Sequence, residues 1–188
     1  MTSPDKDMGV TRCEGTEFRW GERTYVMGII NLSPDSFSGD GITGVEAAVA
    51  QASYFASVGA DILDVGGEST RPRSAPVSVS EEIRRVIPVI ERIAVEVSLP
   101  LSVDTYKLEV AEQALEAGAV IINDQWGLKQ APRLAELAAV KGVPLILMSN
   151  QRDKGGYDAG TQRDTAYYDD VMAEVISSLK KSLEQALE

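Results

Sequence analysis

Residues Leu101–Asp124 read LSVDTYKLEVAEQALEAGAVIIND, and they decide the fold class. Leu101–Val103 is a short apolar strand entered from Pro100. Lys107–Ala117 has helical spacing and stops at Gly118, a residue free to take the left-handed turn that ends a helix. Val120–Asn123 is a second apolar strand. A strand, a helix and a strand joined by connections this short form a parallel unit, whose strands are covered by helices and so read as continuous apolar runs.

The same unit recurs on both sides. Tyr25–Ile30 is a strand, Gly44–Val58 a helix and Ile62–Val65 a strand. Ser80–Val97 is a helix, with Ser78 or Ser80 as its cap and Glu81 and Glu82 in its first turn. Ala131–Val140 is a helix stopped by Gly142, and Leu145–Met148 is a strand. A polar loop, Ser149–Thr165, precedes a long helix, Tyr167–Leu187. Ahead of the first strand, EFRWGERTYVM places Gly21 between two β-prone pieces and predicts a small hairpin, a lid on the floor of the sheet. Five strands, each followed by a helix, fit either an open doubly wound sheet or a (β/α)8 barrel. A barrel ordinarily needs eight units in about 250 residues.

The 188 residues carry a net charge of -11, which argues against a nucleic-acid backbone or an anionic membrane as the main partner. No apolar run reaches the roughly 20 residues of a membrane span. The opening MTSPDKDMGV lacks a basic-then-apolar signal, and Cys13 is the single cysteine, so a reducing, cytoplasmic setting is expected. There is no histidine, which removes Ser-His-Asp and Cys-His schemes and most zinc sites.

Ligands of parallel sheets bind at the C-terminal strand ends. Here the ends read Asn31, Asp64 followed by VGGESTRPRSAP, Ser102-Val103-Asp104, Asn123-Asp124, and Met148-Ser149-Asn150. One such residue is an ordinary loop cap; five in succession point to a polar floor. Asp64, between apolar neighbours, is expected to be buried and therefore partnered. Asp104 and Asn123 suit the edge of a flat, nitrogen-rich heterocycle. Arg71 and Arg73, after two glycines, suit a phosphate or carboxylate. The Asn31 side-chain oxygen suits a hard cation such as Mg²⁺ that arrives with phosphates.

MGIINLSPDSFSGDG (27–41) and DILDVGGESTRP (61–72) resemble the two signature segments of the dihydropteroate synthase family, and LSVDTYKLEVAEQALEAGAVIINDQWGL resembles its third and fourth strand region. The resemblance extends from Tyr25 to Met148. It implies a (β/α)8-barrel type, about five units of which are present. It implies condensation of 6-hydroxymethyl-7,8-dihydropterin pyrophosphate with 4-aminobenzoate to 7,8-dihydropteroate and pyrophosphate, assisted by Mg²⁺ on Asn31, in a homodimer. By the same resemblance Asp104 and Asn123 bind the pterin ring and Asp64 orients that floor. Met148 packs on the pterin. Asp35, Ser36 and Phe37 belong to one loop, and Thr70, Arg71 and Pro72 to another. Phe37 and Pro72 shape the aminobenzoate pocket, while Thr70 and Arg71 touch pyrophosphate. Asp104, Asn123 and Arg71 are the residues expected to carry the chemistry.

The family's later Asp-Pro-Gly, Gly-Phe-Gly-Lys, Ser-Arg-Lys and Arg-x-His segments have no counterpart here, and its Met-His-Met is LMSNQ. Residues 1–188 are therefore expected to form a single pterin-binding barrel domain that is incomplete at its C-terminal side. Three other readings stand beside the synthase. They are a non-catalytic pterin-binding fragment or assembly module, a methyltetrahydrofolate-binding methyltransferase of the same superfamily, and a barrel enzyme acting on a sugar phosphate.

Overall fold

The computed structural model describes residues 9–32, 44–69, 76–149, 157–158, 163–164 and 170–188. A hairpin comes first: β1 (Val10–Cys13) pairs antiparallel with β2 (Thr16–Arg19). Five parallel strands follow: β3 (Met27–Asn31), β4 (Ile62–Gly66), β5 (Leu101–Asp104), β6 (Ile121–Asp124) and β7 (Leu145–Leu147). The helices α1 (Val45–Ser57), α2 (Val79–Glu96), α3 (Leu108–Glu116) and α4 (Arg133–Lys141) connect them. The pair β8 (Tyr157–Asp158) and β9 (Arg163–Asp164) and the helix α5 (Val171–Leu187) complete the order.

The strands lie in the sheet in chain order, β3-β4-β5-β6-β7. A doubly wound sheet reverses its order at a switch point; this one does not. Singly wound succession is the arrangement of a (β/α)8 barrel, here with five units.

The two faces of the sheet differ. Leu63, Val65, Leu101 and Val103 are buried in one cluster with Val49, Ala52, Val86, Ile90 and Ile93 from the helices. Gly28 belongs to this packing, since a Cβ there would come within 2.6 Å of the Phe55 ring. On the opposite face, Ile62 and Ile121 pack with Phe18 and Cys13 of the hairpin, joined by Met27. The hairpin therefore plugs the N-terminal end of the inner face, as a barrel floor.

Four boundaries differ from expectation. The hairpin turns at Glu14-Gly15, with φ of 40° and 83°, and not at Gly21. Two successive positive φ values suit the twist of a two-residue hairpin. The first inner strand begins at Met27, not Tyr25. Val26 is tied instead to Asp61, whose Oδ2 accepts from its backbone N at 2.8 Å, and Tyr25 packs edge-on against Phe18. The expected polar loop 149–165 contains the short β8–β9 pair. The last helix begins at Val171 and not at Tyr167, because the Asp170 carboxylate caps it by accepting from Ala173 N at 3.0 Å. Ser78, of the two cap candidates, caps α2 through Glu81 N. Among the described residues no helix is long and apolar enough to cross a membrane.

Candidate functional site

Strand pairing stacks the inner face in layers. The Met27–Ile62 register pair forms an apolar layer over the hairpin. Ile29, Asp64, Ser102 and Ile121 follow as the next row, in register, with Ile121 also packed on the hairpin. Asn31, Gly66, Asp104, Asn123 and Ile146 form the row nearest the C-terminal strand ends. The expected polar floor is thus two rows deep above an apolar base.

Asn123 Nδ2 donates to Asp64 Oδ2 at 3.1 Å. Asp64 is 2% exposed, and its Oδ1 carries no hydrogen bond of good geometry, nor does the buried Ser102 Oγ. Burial pushes the Asp64 carboxyl up, and the neighbouring Ser102 and Asn123 partly offset the rise. Asp104 accepts from Gln125 Nε2. Burial, followed by the Asp64 charge, pushes the Asp104 carboxyl well above the usual range; Gln125 opposes this, and Glu82 and Asp124 add to it. Gly66 leaves room for Asp104, as a Cβ there would stand 3.3 Å from the Asp104 Cβ.

Two buried carboxyls, the Asp64 charge adding to the rise at Asp104, with a fixed amide between strands, form a set of acceptors and donors suited to a planar polar ligand. Asp104, Asn123 and Asp64 are brought together as expected. Asn31 lies in the same row, two strand spacings or about 10 Å from Asp104. Met148 lies just beyond β7, partly exposed, with its backbone N donating to Asp124 O at 3.3 Å. Asp35, Ser36, Phe37, Thr70, Arg71, Pro72 and Arg73 lie outside the described residues.

Asp124 does different work from its neighbour Asn123. Its two oxygens accept from Trp126 N at 2.8 Å and Leu128 N at 2.6 Å, closing the turn after β6. Adjacent strand residues point to opposite faces, which separates the inner-face Asn123 amide from the turn-forming carboxylate. Gln125 was not singled out from the sequence; its position next to Asn123-Asp124 was the available signal.

Among the described residues no cluster of three or more His, Cys, Asp or Glu could hold a resident metal. Asn31 supplies one neutral amide oxygen, half-buried at a strand end. That donor fits a Mg²⁺ whose other positions come from phosphate oxygens and water, and does not fit a self-contained metal centre.

The pattern of the pterin binding enzyme family matches residues 27–188, every inner-face strand included. The chain belongs to the pterin-binding enzyme family. It is 46% identical over 168 residues to the dihydropteroate synthase of Clostridium beijerinckii, covering 89% of this chain and 58% of that one. It is similar to a Xanthomonas albilineans dihydropteroate synthase structure with 4-aminobenzoic acid, at 45% identity and a TM-score of 0.78, covering 94% of this chain and 60% of that chain. A further structure of the Xanthomonas albilineans synthase, in complex with 7,8-dihydropteroate, matches at 42% identity and a TM-score of 0.75, over 95% of this chain and 60% of that one. The chain thus spans a little under two thirds of the length of these family members.

Proposed function

We propose that this pterin-binding chain serves dihydropteroate synthesis, condensing 6-hydroxymethyl-7,8-dihydropterin pyrophosphate with 4-aminobenzoate and releasing pyrophosphate. The observation that carries this reading is the inner-face group of Asp64, Asp104 and Asn123, with Asn123 locked onto Asp64. Relatives solved with 4-aminobenzoic acid and with 7,8-dihydropteroate support the choice of substrates.

The acidic and amide groups suit the pterin's N–H edge. Asp104 accepts from the ring, and Asn123, its Nδ2 held by Asp64, turns its oxygen to a ring N–H. Met148 gives an apolar surface for the ring face. Asn31 is the residue suited to hold Mg²⁺, which when bound neutralises pyrophosphate charge. As the C–O bond to pyrophosphate breaks, positive charge develops on the exocyclic carbon and spreads into the ring. The Asp104 and Asp64 carboxylates stabilise that charge electrostatically. The neutral arylamine of 4-aminobenzoate then forms the new C–N bond and loses a proton to solvent. Arg71 and Thr70 are proposed for the pyrophosphate, Phe37 and Pro72 for the aminobenzoate pocket, and Asp35 and Ser36 for the loop between them. We assign the domain to residues 1–188 as one pterin-binding unit, acting in the cytoplasm as a homodimer.

Dihydropteroate formation from the two substrates with Mg²⁺ tests the reading, with Asp104→Asn as the control. Turnover in the native chain that falls at least about a hundredfold in Asp104→Asn supports the synthase reading. Saturable pterin binding with no product overturns it in favour of a non-catalytic pterin-binding module.

A further inference from the structure

A buried ionic cluster lies behind the site. Lys107 Nζ is 2.5 Å from Glu68 Oε2 and also bonds Glu82 Oε2. Its side chain is 10% exposed, that of Glu68 14% and that of Glu82 1%. Glu68 does more than pair with Lys107. Its Oε1 accepts from the Tyr106 hydroxyl at 3.1 Å, and its Oε2 accepts from the backbone N of Val77 at 3.1 Å. One carboxylate thereby ties together residues 68 and 77, the two sides of the segment that follows β4.

The backbone beside it is held as well. Arg85 Nη1 donates to Gly67 O at 2.9 Å. A Cβ on Gly67 would lie 2.7 Å from Val86 Cγ2 and 2.9 Å from Glu82 Cγ, so only glycine lets this chain lie flat on α2. Lys107 itself stands three residues after Asp104 and forms the start of α3. The cluster therefore joins the strand end carrying Asp104, the N-terminal part of α2 and both sides of the post-β4 segment.

Burying one ammonium between two carboxylates is a poor way to gain stability, because desolvation offsets the attraction. Fixing a geometry is the better-attested use. We propose that Lys107, acting through Glu68, is a positioning residue for the anion-binding end of the site, holding the Gly66–Ser69 backbone beside Asn31. Leu32 N donates to Gly66 O at 2.8 Å, so that backbone is already joined to the strand end bearing Asn31. The inference rests on the pterin pyrophosphate reading above; the tying of residue 68 to residue 77 does not.

The test uses the full chain, two ligands and two variants. Glu68→Gln keeps an acceptor for Val77 but removes the charge that holds Lys107. Lys107→Met combined with Glu82→Leu removes both ends of one ion pair and leaves Glu68 with only its Tyr106 and Val77 donors. Calorimetry would compare 6-hydroxymethylpterin with its pyrophosphate ester in Mg²⁺. The expected result is an affinity for the ester lowered about tenfold in both variants, with bare pterin held within about twofold. Equal losses for both ligands would reveal a merely structural cluster and overturn the proposal, as would no loss for either. Amide exchange at Val77 gives an independent readout. Glu68→Ala should accelerate it at least about tenfold while the β4 and β5 amides are unchanged; an unchanged Val77 overturns the tie. If the native chain binds neither ligand, the pterin reading fails, and the Val77 exchange alone decides the tie.

Discussion

Asn123, at the end of β6, donates to Asp64 on β4 at 3.1 Å, reaching past the intervening strand β5. An ionised carboxylate can only accept, so the bond fixes which way the Asn123 amide faces. On the proposed reading, Asp64 acts on a pterin through Asn123.

Replacing Asn123 with Ala removes the one well-formed hydrogen bond to a 2%-exposed carboxylate and leaves only the neighbouring Ser102 hydroxyl to offset its burial. The expected cost is about 1–3 kcal/mol of stability, read by urea unfolding. Pterin affinity should fall at least about tenfold in the same protein. An Asn123→Asp variant, which sets two carboxylates face to face, should bind pterin no better than Asn123→Ala.

Asp104→Asn separates stability from function. The folded-state proton affinity of Asp104 is raised, chiefly by burial and by Asp64. A raised carboxyl favours folding below the unfolded value and loses that contribution as pH climbs through the folded value. At neutral pH the ionised form is therefore a burden, and Asp104→Asn should raise Tm by about 2–4 °C. The gain should shrink as pH falls toward the ordinary carboxylate range, while pterin affinity is lowered throughout. Thermal melts across pH, with parallel titrations, check both signs.

Phe18, on β2 of the hairpin, is the largest fully buried side chain among the described residues and packs against the inner-face residues Ile62 and Ile121. Phe18→Ala should cost about 3–5 kcal/mol. Denaturant unfolding reads it directly. Because the lesion lies below the apolar layer, any variant protein that remains folded should keep pterin affinity within about twofold.

The five units were legible because each inner strand is a short apolar run and two of the helices stop at a glycine; Gly142, for instance, adopts the left-handed conformation at the end of α4. The shared row of Gly66, Asp104 and Asn123 was not legible, since register depends on which strands are neighbours and chain order alone does not state that. Asp124 read like Asn123 in the sequence and differs only by facing the other way. The turn at Glu14-Gly15 was passed over because a non-glycine residue at positive φ leaves little trace in composition. Glu68 and Lys107 were not singled out from the sequence, and only the packing of α2 against the post-β4 backbone draws them into one cluster.

Removing the turn's anchor should act locally. Asp124→Ala deletes the acceptors for Trp126 N and Leu128 N, the second of these bonds being buried. The expected loss is about 2–4 kcal/mol. Asp124→Asn keeps an acceptor and should recover roughly half of it, as measured by the shift in the urea midpoint.

Titration of 6-hydroxymethylpterin into the chain by calorimetry, without aminobenzoate, reaches the central claim most directly. The inner-face group of Asp64, Asp104 and Asn123 predicts saturable binding of one pterin per chain, abolished when Asp104 and Asn123 are both replaced by Ala. A folded chain that gives no saturable heat, or binding that survives the double replacement, would contradict it.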